Sequence, residues 1–393
     1  MRVAINCMAV NPNYKGGVTT YTLGLLQGFA ELDSKLEVRI YCTDTNLDLF
    51  RHFENHKNMT VHPYRDLSMP ERALRRGALT IGSKKLFKGT SNLLFKSSSQ
   101  EISKSCDLMY TPTTTFSSFD IPIKTVVSMH DLQQIHFPEF FSKSELSQRN
   151  ITYGLTAANA NYFQSSSDFI REDLLKVFPH LTPEQIVVIH EGVNLKEFAS
   201  NSTVHSHEVT RKYDLPEKFL FFPAQLWPHK NHITVLKALR KVRDNTGVSI
   251  PLVLTGAKFS AAEEILNFCE KNKLDQVRYL GLVPFTDLKA LYKAAHFLIT
   301  AVLYESSSLP VLEAAASGIP IIASDTLPNR EIGCNLKLNL FSPLDFEGLA
   351  NLITLLWSSD LGRDQAVYNQ EAVKMYSWME VAKKYEKFFL NLN

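Results

Sequence analysis

Short apolar runs recur along this chain, bounded by polar or turn-forming residues. Each is followed by a segment whose apolar positions fall three and four apart. The runs lie at 2–10, 36–42, 59–64, 107–113, 123–127, 160–165 and 186–189, and again at 218–223, 251–256, 277–283, 297–302 and 320–323. Runs of this kind are expected in strands covered on both faces, and their alternation with helical periods predicts parallel sheets of an α/β fold. Helical faces are carried by Val18, Tyr21, Leu25, Leu26 and Phe29, by Ile233, Leu236 and Leu239, and by Leu309, Leu312, Ala315 and Ala316, the last helix closed by Gly318 and Pro320. Ser167 or Asp168 fits the N-cap of another. Between the two series lies 201–217, polar and without a sustained period, which reads as a linker. The pattern therefore predicts one α/β domain over 1–200, a second over 218–375, and a last helix over 376–393.

A length of 393 residues suits two domains, and 45% apolar with 21% charged residues is a globular balance. No run approaches the ~20 apolar residues that span a bilayer. MRVAINCMAV reads as a strand and not as a signal peptide. Five scattered cysteines without a C-x-x-C argue for a reducing cytosol and against a zinc site or a disulfide frame. There is no convincing D-x-D element, no nucleophile elbow and no cluster of metal ligands, so no metal is expected.

The stretch 297–326 carries the clearest candidate chemistry: strand, loop, helix, strand, with Glu305 in the loop and Glu313 in the helix. Amides at a helix N-terminus, here beside Ser306, Ser307, Ser308 and Leu309, suit a phosphate. Ionised carboxylates accept hydrogen bonds from sugar hydroxyls. The residues alone equally fit a helix-start charge at Glu305 and a solvated helix position at Glu313. Lys230 stands at a strand-to-helix junction, where an ammonium suits a diphosphate but a surface lysine is also ordinary. Gly16 and Gly17 between the first strand and first helix permit a close backbone approach, or serve only the turn. They do not form G-x-G-x-x-G, which sets a nicotinamide dinucleotide aside. His130 and Asp131 sit at a strand's carboxyl end.

E-S-S-S-L-P-V-L-E-A-A-A-S-G-I-P at 305–320 resembles the E-x7-E signature of the retaining glycosyltransferases of family 4, which have the GT-B fold. Serines replace the usual glycines at 306 and 308. The resemblance extends to the Gly16–Gly17 loop, the His130–Asp131 loop and the Lys230 junction. It implies two Rossmann-like domains facing across a cleft, with the C-terminal helix crossing back to the first. It places Glu305 at the donor sugar, Glu313 on the ribose, and Lys230 with the Ser306–Leu309 amides on the diphosphate. His130 is placed at the sugar, Gly16 and Gly17 toward donor phosphates and acceptor, and Gly256 under the nucleotide. The family's arginine five positions before the lysine is Gln225 here, which reduces the positive charge offered to the leaving group. The resemblance thus implies retaining, metal-independent hexose transfer from GDP-mannose or a UDP-sugar to a glycan or polyprenyl-linked acceptor in surface polysaccharide synthesis. No cofactor is implied beyond the nucleotide-sugar co-substrate. A GT-B nucleotide-sugar epimerase and a catalytically silent scaffold are the alternatives.

The segment 71–96 holds seven Lys or Arg against the single acid Glu71, with apolar residues interleaved. Such a surface is drawn to anionic lipid headgroups, and would bring a cytosolic protein to the inner face of the cytoplasmic membrane. An ordinary helix pair with its apolar face on the domain core fits the same residues. Nothing else in the chain supports a nucleic-acid partner.

Overall fold

The computed structural model describes residues 1–12, 16–199, 204–359 and 361–392. They form two units, Met1–Gly192 with Trp378–Asn393, and Val193–Ser377. The first is built on strands β1 (Arg2–Asn6), β2 (Glu37–Thr43), β3 (Met59–Tyr64), β4 (Leu108–Thr111), β5 (Lys124–Met129), β6 (Tyr162–Ser165) and β7 (Ile186–Val188), in the order β3-β2-β1-β4-β5-β6-β7. The second uses β8 (Leu220–Pro223), β9 (Leu252–Thr255), β10 (Val277–Tyr279), β11 (Phe297–Thr300), β12 (Ile321–Ser324) and β13 (Asn339–Phe341), in the order β10-β9-β8-β11-β12-β13. Neighbouring strands are parallel throughout both sheets. Each sheet therefore has the doubly wound order of a Rossmann-like layer. Its direction of winding reverses between β1 and β4 in one and between β8 and β11 in the other. The uninterrupted apolar runs are explained by this arrangement, since Val126–Met129, Leu252–Thr255, Phe297–Thr300 and Ile321–Ser324 are buried at every position.

The last helix, Trp378–Asn391, belongs to the first unit and lies along the helix Gly17–Glu31. Glycines make the approach possible. A Cβ at Gly24 would stand 2.1 Å from Trp378 Cε2, one at Gly28 would stand 2.2 Å from the Trp378 carbonyl oxygen, and one at Gly192 would stand 2.6 Å from Trp378 Cδ2. Further along, Tyr385 reaches the buried phenols of Tyr21 and Tyr110. These continue to Ser128 and Gln164, with Tyr110 Oη 2.5 Å from Ser128 Oγ and Ser128 Oγ donating to Gln164 Oε1 at 2.6 Å. A buried hydroxyl without a partner is expensive, so the cluster ties strands, first helix and last helix to one geometry.

Two expectations change. The stretch 201–217 is not a featureless linker: Val204–Lys212 is helix, with Val209 buried and the helix packed on Phe285–Ala294. Too few of its side chains are apolar for a period to show, because its far face is solvated. The crossing from the first unit to the second falls at Gly192–Val193, where the Val193 N–H donates to the Tyr376 carbonyl at 2.8 Å. The strand expected over 277–283 ends at Tyr279, because Gly281 turns the chain at φ +71° and its carbonyl takes the Gly256 N–H.

Candidate functional site

The loops after β8 and β11, the two strands flanking the reversal of the second sheet, meet. After β8 the chain makes a single tight turn, Pro228–Lys230, and enters the helix His232–Thr246 through Asn231. Asn231 is left-handed, φ 56° and ψ 41°, a conformation that asparagine tolerates better than most residues. Its amide donates to the carbonyls of Ala301 at 2.9 Å and Pro343 at 2.7 Å. The Leu303 N–H donates to the His229 carbonyl at 2.8 Å. These bonds clamp the two loops together and fix where Lys230 begins.

Lys230 Nζ lies 3.1 Å from Glu305 Oε2, with the two side chains 21% and 7% exposed. Glu305 Oε1 and the Ser308 Oγ are buried and have no partner among the described residues. Ser308 precedes the helix Leu309–Ser317. Val311 and Leu312 both donate to the Ser308 carbonyl and Pro310 has no N–H, so the first-turn amide left without an intrahelical acceptor is that of Leu309. An ammonium, a half-used carboxylate, a hydroxyl and a helix N-terminus therefore share one small region, arranged to take an anion and to accept from hydroxyls.

Glu313 sits in the same helix, and Tyr292 Oη donates to its Oε2 at 2.5 Å. Burial pushes this carboxyl up to about 7, while the Tyr292 bond opposes the shift. Gln225 is turned onto its own loop, accepting from Trp227 Nε1 at 3.1 Å, and Trp227 stacks on Phe259. Gly256 has φ +123°, and a Cβ there would stand 2.6 Å from the Ala224 carbonyl oxygen. Only glycine seats the loop bearing Gln225 so closely, which gives Gly256 a packing reason independent of any ligand. His232, buried beside Lys230 and stacked on Phe222, is held neutral, its pKa lowered to about 3 by burial.

In the first unit, His130 follows β5. Its Nε2 is 2.6 Å from the Pro112 carbonyl, which can only accept, so Nε2 carries the proton and Nδ1 is the acceptor of the neutral ring. Burial lowers its pKa, Tyr21 meets it edge-on at 5.0 Å, and Glu191 Oε1 lies 3.9 Å from Nδ1. Asp131 accepts from the Gln133 N–H and from Arg149 Nη1 at 2.7 Å and shapes the loop. Gly16 caps the helix Gly17–Glu31 with ordinary extended angles, and a Cβ at Gly17 would meet none of the described residues within 4 Å. Neither glycine is there for strain. Asn13–Lys15 lie outside the described residues.

The basic segment forms the helices Met69–Thr80 and Lys84–Leu94 and opens the helix Lys96–Ser105. Not all seven cations reach its surface: Arg75 turns inward over the Phe87 and Phe95 rings, and Lys88 donates to Asn159 Oδ1 at 2.6 Å. Phe87 is core. Leu74, Ile81, Leu86 and Leu93 remain exposed beside Arg72, Arg76, Lys84 and Lys85. Among the described residues no helix is long and apolar enough to cross a membrane.

Sequence reasoning found Lys230, Glu305 and the serines, but not Asn231 or Tyr292. Asn231 carried a signal, an asparagine at a loop-to-helix junction; Tyr292, in a different helix, carried none.

Two Rossmann-like layers of this strand order are the components of the GT-B fold. The solved structure of Anabaena Alr3699/HepE in complex with UDP and glucose matches with a TM-score of 0.75 at 15% identity, covering 100% of both chains, which bears on the fold. Residues 207–374, within the second unit, match the model of the glycosyl transferases group 1. Among curated relatives, O-antigen chain mannosyltransferase B of Escherichia coli is 25% identical over 258 residues, 65% of this chain and 67% of the relative. O-antigen chain mannosyltransferase RfbU of Salmonella typhimurium is 24% identical over 222 residues, 56% of this chain and 58% of the relative. The matched region thus spans about two thirds of one relative and little more than half of the other.

Proposed function

We propose that the chain transfers a hexose, with retention and without a metal, from a nucleoside-diphosphate sugar to a hydroxyl of a glycan or lipid-linked acceptor in surface-polysaccharide synthesis. The observation that carries this is the meeting of Lys230 with Glu305, 75 positions apart in sequence, at the reversal of the second sheet, where open α/β sheets bind their ligands. Lys230 and the Leu309 N–H neutralise the departing diphosphate. Glu305, with one oxygen on Lys230 and the other unpartnered among the described residues, accepts from sugar hydroxyls, and Glu313 accepts from the ribose. In the first unit, neutral His130 offers Nδ1 to a sugar hydroxyl. The bond from the anomeric carbon to the diphosphate oxygen breaks as the bond to the acceptor oxygen forms on the same face, and the acceptor's proton passes to the leaving phosphate. The two O-antigen mannosyltransferases favour mannose as the sugar, which makes GDP-mannose the first donor to try before UDP-hexoses.

A thermal-shift panel of GDP-mannose and UDP-hexoses tests this, using wild type, Lys230→Ala and Glu313→Ala. One donor raises the wild-type melting temperature and both variants lose the shift. A wild type that no nucleotide sugar stabilises removes the reading.

Membrane attachment through 71–96 is part of the same proposal, supported by the exposed Leu74, Ile81, Leu86 and Leu93 among surface cations. Sedimentation with anionic vesicles is expected to be lost when Arg72, Arg76, Lys84 and Lys85 become glutamine. Unchanged sedimentation sets it aside.

A further inference from the structure

A cavity of about 300 Å³ opens in the first unit at the carboxyl ends of β3, β2, β1 and β4. Asn11, Thr45, Asp66, Arg72, Arg75 and Ser117 line it. The charges around it do not cancel. Arg65 is held by both oxygens of Glu71, at 2.7 and 2.6 Å. Asp66 accepts from the Thr45 N–H and Oγ1, at 2.8 and 2.6 Å, and lies 3.5 Å from Arg72 Nη2. Arg72 Nε is spent on the Leu67 carbonyl at 2.8 Å. Arg75 is the cation left over. Its Nε donates to Ser91 Oγ at 3.2 Å, its guanidinium lies 5.0 Å from the Phe87 ring centre and 5.6 Å from that of Phe95, and no carboxylate among the described residues pairs with it.

A half-buried guanidinium against two aromatic rings, with no carboxylate beside it among the described residues, is a charge in search of an anion. Its planar fork matches phosphate oxygens two at a time. Asp66 limits where that anion can sit: it must approach from the Arg75 side, with Arg72 screening the carboxylate. The helix that carries Arg75 also presents exposed Leu74 and Met69, so an apolar chain attached to the anion has a surface to follow.

We infer that this cavity holds a phosphate or diphosphate group of the acceptor, gripped by Arg75 and flanked by Arg72. Assigning the anion to the acceptor rests on the transfer reading above; the cavity's affinity for diphosphate does not. The group belongs either to a lipid-linked sugar diphosphate or to a water-soluble sugar phosphate.

The test is calorimetric titration of the full chain with inorganic diphosphate, the second unit's site first saturated with a nucleoside diphosphate. Wild type binds saturably. Arg75→Met, which keeps an unbranched chain between Phe87 and Phe95, binds at least ten-fold more weakly, and Arg75→Lys falls between, keeping the charge without the fork. Nucleotide-sugar binding is unchanged in both. If Arg75→Met does not fold, Arg75→Lys and Arg72→Gln carry the comparison. Equal diphosphate affinity in all folded variants, or none in wild type, overturns the inference. Competition then separates the sources: vesicles bearing a polyprenyl diphosphate sugar displace diphosphate if the acceptor is lipid-linked, a soluble sugar phosphate does so if it is not, and displacement by neither overturns the acceptor assignment. Failure of the transfer reading shows separately, as a wild type that binds diphosphate in this cavity but no nucleotide sugar.

Discussion

The second unit assembles its candidate site from two loops that follow neighbouring strands, β8 and β11, and most of the chemistry lies within a single strand–loop–helix. The first unit surrounds His130 quite differently. Tyr21 comes from its first helix and touches Tyr385, 364 positions away, while Pro112 and Glu191 arrive from two other loops. The same strand order thus supports a charged, locally encoded site in one unit and a neutral, hydrogen-bonded one of distant parts in the other. Charge needs only two or three residues held at a sheet's reversal; a buried neutral network needs the whole unit in place.

The contrast breaks most visibly at Trp378. Trp378→Ala empties the space shaped by Gly24, Gly28 and Gly192 and is expected to destabilise the first unit by about 3–5 kcal/mol. Hydrogen exchange should quicken through 1–192 and hold its rate in 193–377; uniform acceleration would mean the units do not unfold separately. Next is Lys230→Ala, which strips the proposed diphosphate site of its ammonium and leaves Glu305 buried without its ion pair. The transfer rate is expected to fall by about 10²–10³-fold, with exchange in the first unit untouched.

A smaller effect comes from Glu313. Its carboxyl is raised from 4.5 to about 7 in the folded protein, so the native state holds a proton that the unfolded chain gives up. That contribution is fully present below pH 4.5 and is lost as pH rises through 7, amounting to no more than about 3 kcal/mol. Melting temperatures of the second unit taken across this range should slope downward with pH, and Glu313→Gln should flatten the slope. Smallest is Tyr385→Phe, which removes one hydroxyl from the tyrosine cluster and costs about 1 kcal/mol. Urea unfolding should register it in the first unit alone.

The legibility of the chain divides along the same line. Both sheets were legible because strands buried on two faces are apolar without interruption, and Lys230 and Glu305 because charged residues at strand ends stand out against such runs. The helix Val204–Lys212 was not, its buried contribution being too sparse to make a period. Arg75 looked like its neighbours Arg72 and Arg76; only the folded helix pair turns it onto Phe87 and Phe95. Gly256 suggested a ligand approach, and the structure shows that Ala224 already demands a glycine there. Tyr292 gave no sign of Glu313, since no spacing links residues in different helices.

The return of the last helix to the first unit also sets an order of events during synthesis. When the ribosome has completed β7, the groove over Gly24, Gly28 and Gly192 has no tryptophan in it, and Tyr21 and Tyr110 lack Tyr385. Everything from Val193 to Ser377 must be made before the missing helix emerges, an interval on the order of 10–40 s at ~5–20 residues per second. The unit translated first is therefore the one finished last, and through that interval it shows the nascent chain's surroundings an uncovered apolar groove.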